Sequence, residues 1–312
     1  MVVADVHAQV PHFRHWITDR EGPPHIGTQV KIERFTFADA KNIRAAGFSF
    51  VRFGIWVNSM PATAYQARVS RAFAAAHSAG LPVLVTLRST VPLVQSSSNE
   101  ANRRLQVRDA AKQLVVNVRQ LVGVHGPDVL AIEVWNEPEL PTYWPTGDVD
   151  ATFPVYIQAV CAGLKTVDRS IPVVGFGFAT PPASGSKSDR LLQSLDSSPQ
   201  HCLDAISYHA YGMSEAQIKA ASGYVQSRYA LPALITEWGV SSGSKRGRDG
   251  QAADIESFFA QRDAMKTPLV SIYEWQDTAS GKNARERNFG LIDASGTKKP
   301  ALEAASAALH KQ

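Results

Sequence analysis

The sequence predicts a single (β/α)8 barrel. Short runs rich in valine, isoleucine and aromatics recur along the chain, each entered through a Gly, Pro or polar turn, as buried strands require. Helical patterns separate them, several stopped by a glycine after an Ala-rich turn. The alternation amounts to roughly eight strand–helix units in about 280 residues, close to the ~250 typical of such a barrel.

The first strand is placed at "HIGTQVKI", His25 to Ile32. The segment before it, "PHFRHWITDREGPP", reads as loop or as a cap on the barrel. Residues 1–24 are therefore taken as an N-terminal extension of one catalytic-sized domain spanning 1–312. The helix "TFADAKNIRAAG" leads to strand 2, "FSFVRFGI" (Phe48 to Ile55). "YQARVSRAFAAAHSAG" leads to strand 3, "LPVLVTL" (Leu81 to Leu87). The long amphipathic stretch Arg103 to Gly123 leads to strand 4, "VLAIEVW" (Val129 to Trp135). "FPVYIQAVCAGLKTVD" lies between strand 4 and strand 5, "IPVVGFGF" (Ile171 to Phe178). Strand 6 is "CLDAISYHAY" (Cys202 to Tyr211), strand 7 "LPALITEW" (Leu231 to Trp238), strand 8 "TPLVSIYEW" (Thr267 to Trp275). Helical patterns follow each of the last three. An open doubly wound sheet is the alternative, but no Gly-rich phosphate loop follows any early strand.

Bulk properties exclude more than they assign. The chain is 44% hydrophobic and 19% charged with a net charge of +4, an ordinary globular balance with no demand for nucleic acid. No run approaches the ~20 apolar residues of a membrane span. The start, "MVVADVHAQV", lacks a basic region followed by a long apolar one. Cys161 and Cys202 can pair in an oxidising compartment or sit as small buried apolar side chains, and the second is the preferred expectation. His7, His12, His15 and His25 crowd the N-terminus at irregular spacing without acidic partners, so solvated or capping histidines are expected and no metal. No cofactor is expected.

In a barrel of this kind the strand ends share one face, where chemistry sits. Strand 2 brings Arg52 and Trp56 there, strand 3 Arg88, strand 4 Asn136 and Glu137. Strand 6 brings His209 and Tyr211, strand 7 Glu237 and Trp238, strand 8 Trp275. A carboxylate ending an apolar strand is costly unless paired or used. Two of them across a barrel mouth, beside aromatic rings, are the working parts of glycosidic-bond hydrolysis. One must begin protonated and the other ionised, so their surroundings must split their pKa values. Arg52 is the natural group to keep one charged. Glu133 shares the strand parity of Glu137 and is read as structural, pairing with Arg52 or another cation. Glu139 and Glu274 are read as supporting or loop residues.

"VWNEP" ending strand 4 and "ITEWG" ending strand 7, with "YHAY" on strand 6, a Trp on strand 8 and the closing "NFGLIDASGTKKPAL", resemble clan A glycoside hydrolases. The style is similar to bacterial members of families 39 and 5, over Thr28 to Leu302. The resemblance implies a retaining mechanism with Glu137 as general acid/base and Glu237 as nucleophile. It implies that Asn136 touches a sugar 2-hydroxyl, Tyr211 or His209 orients the nucleophile, Arg52 lies beneath Glu237, and Trp275 floors a subsite. Many family 5 members carry a His at the end of strand 3, where this chain has Arg88.

Trp56, Trp144 and Trp238 are candidate sugar platforms, with core packing as the alternative. Trp144 and its neighbour Tyr143, in a Pro-rich loop, are expected to be exposed. Three basic loops, "SGSKSDR", "SSGSKRGRDG" and "SGKNARERN", are expected to ring one side of the cleft with Lys187, Arg190, Lys245, Arg246, Arg248, Lys282, Arg285 and Arg287. That pattern suggests an acidic polysaccharide. The expected partner is thus an oligo- or polysaccharide, cut by a secreted or periplasmic monomer acting within chains. Exo-acting β-xylosidase or β-glucosidase activity and a non-catalytic polysaccharide-binding barrel are the alternatives.

Overall fold

The computed structural model describes residues 13–18, 23–95, 98–167, 171–195 and 202–311. Eight parallel strands close into a barrel in sequence order. They are β1 (His25–Gln29), β2 (Phe50–Trp56), β3 (Val83–Arg88), β4 (Val129–Val134), β5 (Val173–Phe178), β6 (Ala205–His209), β7 (Ala233–Trp238) and β8 (Leu269–Ile272). Closure is direct: Gly27 pairs in register with Phe50 of β2 on one side and Ser271 of β8 on the other.

The outer layer consists of α1 (Phe13–Thr18), α2 (Phe37–Ala45), α3 (Thr63–Ser78), α4 (Glu100–His125), α5 (Val149–Leu164), α6 (Lys187–Ser194), α7 (Glu215–Tyr229), α8 (Gly247–Gln261), α9 (Ala284–Arg287) and α10 (Pro300–Leu309). Local chemistry sets several starts. Thr36 and Asp39 form a capping box on α2, and Ser214 and Gln217 form one on α7. Ser186 caps α6, so "SGSKSDR", expected as loop, opens a helix. The cap and the apolar pair Leu191 and Leu192, both buried, outweigh its polar composition.

The barrel interior has two contrasting halves. At the N-terminal end, Phe50, Leu84, Val174, Ala205, Leu234 and Leu269 pack together, and α1 closes them off with Phe13, Trp16 and Ile17. The Trp16 ring also stacks on His25, centroids 3.8 Å apart. Part of the segment preceding β1 is therefore a helical plug. His7 and His12 lie outside the described residues. At the C-terminal end the inward positions are Arg52, Thr86, Glu133, Ser207 and His209, all buried.

Cys161 of α5 and Cys202 before β6 form a disulfide, with Cα atoms 5.4 Å apart. This corrects the expectation of two separate thiols. The pairing is invisible to composition because it joins positions 41 apart that only the barrel brings together. Among the described residues, no helix is long and apolar enough to cross a membrane.

Candidate active site

A cleft of about 520 Å³ opens at the C-terminal face. Glu137 and Glu237 both line it, with Arg52, Trp56, Arg88, Asn136 and Tyr211.

Arg52 organises the floor. Its Nε and Nη2 donate to Glu133 Oε2 at 2.9 and 2.6 Å, and its Nη1 donates to Glu237 Oε1 at 2.6 Å. Nη1 also reaches Gln29 Oε1 at 2.6 Å, and Nη2 reaches Asn136 Oδ1 at 3.0 Å. Because the Asn136 oxygen is engaged, its amide N–H groups remain for the cleft. Glu133 is fully buried and saturated: Thr86 donates to Oε2 and Ser207 to Oε1, at 2.6 and 2.7 Å. Burial alone would raise the Glu133 carboxyl, but the Arg52 charge and the two hydroxyls hold it below the usual range. Burial would lower the Arg52 pKa, and the two carboxylates reverse that, so the guanidinium stays charged.

Glu237 accepts from Arg52 on one oxygen and from Tyr211 Oη on the other, at 2.8 Å. Burial pushes its carboxyl up. The charges of His209 and Arg52, and the hydrogen bonds from Arg52 and Tyr211, outweigh it, leaving the group below the ordinary carboxylate range. Tyr211 is driven well above its ordinary value, first by burial and then by the Glu237 charge, so it stays a donor.

His209 joins the two acids. Its Nδ1 lies 2.7 Å from Glu137 Oε1 and 3.6 Å from Glu237 Oε2. Both acids therefore meet at a single imidazole nitrogen. Burial would lower the His209 pKa, but Glu237 and Glu137 together raise it. Its Nε2 is buried without a hydrogen-bond partner among the described residues.

The backbone delivering Glu137 is strained. Trp135 and Glu137 both adopt left-handed conformations, with φ of 79° and 51°. Such residues cost on the order of 1–3 kcal/mol each and collect where function demands an orientation. The turn is held by Trp135 N–H to Leu87 O at 2.9 Å and by Glu137 N–H to Gly177 O at 2.8 Å. Gly177 itself has φ +56°, and a Cβ there would stand 3.2 Å from Glu133 Oε1 and 3.3 Å from His209 Nε2. A side chain there would combine a strained backbone with crowding of two buried side chains, both of which glycine avoids.

Three expected platforms are elsewhere. Trp144 is buried, 4.5 Å from the Trp135 ring, with its Nε1 donating to Thr152 Oγ1 at 3.0 Å. It is core and not exposed, because the loop folds its larger ring inward and leaves Tyr143 to line the cleft. Trp238 stacks on Phe258 of α8 with centroids 3.7 Å apart. Neighbours on a strand face opposite sides, so Glu237 facing the cleft sends Trp238 outward. Trp275 is buried and donates to Asp39 Oδ1 at 3.0 Å, outside the cleft lining. β8 ends at Ile272, so strand parity does not carry that far.

Tyr273 and Phe289 line the cleft instead, packed edge to face with Tyr211 at 6.1 and 5.7 Å. Tyr273 stands just past the last residue of β8, Ile272, so its place in the cleft was not fixed by strand alternation. Of the eight expected loop cations only Lys282 and Arg285 line the cleft. Arg246 is paired with Asp254 at 2.7 Å and Arg248 with Asp293 at 3.2 Å, and Arg190 donates to Gly185 O. Glu274, buried, is held by Lys31 at 3.1 Å and Arg34 at 3.4 Å, which fastens the loop after β8 to the loop after β1.

No protein-family model matches the chain, and no curated protein does. Solved structures share its fold. A family 39 glycoside hydrolase from Bacteroides cellulosilyticus matches with a TM-score of 0.69 at 20% identity, over 94% of this chain and 64% of that one. An exo-β-1,4-mannosidase from an Opitutaceae bacterium gives 0.68 at 15%, over 93% and 59%. A glucosidase from Croceicoccus marinus gives 0.69 at 15%, over 93% and 68%. The chain thus spans less than two thirds of the first two, and at these identities the shared property is the barrel.

Proposed function

We propose that the protein is a retaining β-glycoside hydrolase. The observation that carries this is two acids meeting in one cleft: Glu237 is held ionised by Arg52 and Tyr211, and Glu137 stands within reach of the same His209 nitrogen. The fold neighbours named as glycoside hydrolase, mannosidase and glucosidase support the class.

In this reading, Glu237 attacks the anomeric carbon while Glu137 gives its proton to the leaving glycosidic oxygen. Each Glu237 oxygen keeps a lone pair beyond the one that Arg52 or Tyr211 occupies, so orientation and nucleophilicity are compatible. Glu137 then takes a proton from a water whose oxygen bonds to the anomeric carbon as the bond to Glu237 breaks, which releases the sugar and restores the Glu237 carboxylate and the protonated Glu137. His209, hydrogen-bonded to Glu137, is placed to follow that change of charge. Asn136 presents its amide to a sugar hydroxyl. Trp56, Tyr143 and Tyr273 offer rings to its C–H faces.

The substrate is proposed to be a polysaccharide cut internally, by a protein that works as a monomer outside the cytoplasm. The Cys161–Cys202 disulfide supports an oxidising compartment. Exo action on short glycosides is the second reading, favoured by the exo-mannosidase among the fold neighbours. The test is reducing-end release from neutral and uronic β-linked polysaccharides, with Glu237→Gln and Glu137→Gln as controls. Release of mixed oligosaccharides, lost in both variants, is expected. Release of single sugars would favour exo action, and tight binding without release would leave a binding protein.

A further inference from the structure

Arg88 stands out among the cleft cations. Its guanidinium carbon lies 4.7 Å from the centroid of the Trp56 ring and 5.1 Å from that of Tyr143. Its one hydrogen bond among the described residues goes to the adjacent Ser89 carbonyl, at 3.2 Å, and no carboxylate pairs with it. Burial lowers its pKa from the ordinary arginine value and outweighs the raising effects of Tyr143, Glu137 and Glu237, whereas at Arg52 the directly bonded carboxylates outweigh burial. A stacked guanidinium keeps its in-plane donors free at the edge, in a fork that matches a carboxylate. Arg285, also in the cleft lining, stacks over one ring, that of Phe289 at 5.2 Å, but is exposed to solvent, so the cost of burying an unpaired charge falls on Arg88. The rim cations Arg246 and Arg248 have carboxylate partners. Partial desolvation of an unpaired charge in a cleft is costly unless a ligand anion completes it.

We propose that Arg88 is the specificity-determining residue for an acidic sugar, a uronic acid whose carboxylate it grips beside the acid pair. This rests on the glycosidase reading for the sugar but not for the charge.

The test separates the two. β-linked tetrasaccharides of glucuronic, mannuronic and galacturonic acid, each beside its carboxyl-reduced neutral counterpart, are titrated calorimetrically into the full chain carrying Glu237→Gln. The comparison protein carries Glu237→Gln with Arg88→Met, which keeps an apolar stem against the two rings. At least one acidic member should bind about 10- to 100-fold more tightly than its neutral partner, the range of hydrogen bonds to a charged group. That preference should weaken with salt and fall to parity in the Arg88→Met protein, with an unchanged melting temperature. Absence of acid preference in every pair, or a preference that survives Arg88→Met, would overturn the proposal. An acid preference in a protein that releases no sugar would overturn the glycosidase reading and leave the anion site standing.

Discussion

The two ends of the barrel use the same strands for opposite purposes. At the N-terminal end, Phe50, Leu84, Leu234 and Leu269 meet α1 in a dry apolar plug. Two residues further along two of those strands, the inward positions are Arg52 and Thr86, and they meet Glu133 and Ser207. One end holds by packing apolar side chains, the other by pairing the buried charges of Arg52, Glu133 and Glu237. Stability and chemistry are therefore separable along the barrel axis, and substitutions at each end should fail differently.

The largest effect is expected at the open end. Glu237→Gln should lower kcat by about 10⁴-fold, a loss typical of removing a nucleophile, while the denaturation midpoint falls by less than in Glu133→Gln, because Glu133 still holds Arg52 through two of its nitrogens. A proportional loss of fold would show that the two ends are not separable. At the closed end, Trp16→Ala should destabilise by about 3–5 kcal/mol, the usual range for emptying a large aromatic site. Denaturant titration checks this, and kcat per folded molecule should be unchanged.

Glu133→Gln probes the boundary. It removes one partner of a buried ion pair and should cost about 3 kcal/mol, the low end of the range for such pairs because Glu237 still holds Arg52. It should also flatten the acid dependence of stability. Glu133 and Glu237 both have lowered carboxyl pKa values. Their contribution is complete above the ordinary value of 4.5 and is lost as pH falls below it towards the folded values. Urea midpoints between pH 3 and 6 should fall less steeply in the variant than in the parent.

The smallest effect is expected at Glu139, which is buried near the rim and accepts from Thr180 N–H at 3.1 Å, with its other oxygen unpartnered among the described residues. Burial raises its carboxyl pKa. A raised acid binds its proton more tightly when folded, so it weakens the fold at pH above that raised value and not below the unfolded one. Glu139→Gln should raise the melting temperature slightly at pH 7 and leave it unchanged at pH 4.

Much of this was legible in the chain itself. The strand and helix alternation, the shared face of the strand ends, and the acids Glu137 and Glu237 follow from local patterns. Turn residues and period are written into neighbouring positions, and they need no distant partner to be read. The pairing of Glu133 with Arg52 was also accessible, since alternation points both inward. What the tertiary structure alone decided lies where the strands stop. Trp144 and Trp275 looked like sugar platforms by type, yet each is buried against residues of the outer layers, whereas Trp238, inside β7, was already turned outward by alternation with Glu237. Tyr143, Tyr273 and Phe289 hold the cleft positions instead. The bridge of His209 between two acids and the contact of Arg88 with two rings have the same origin. Past its last paired residue a strand no longer fixes which way a side chain faces. Contacts such as Arg34 with Glu274, 240 residues apart, then set the orientation, and only the closed barrel brings such groups together.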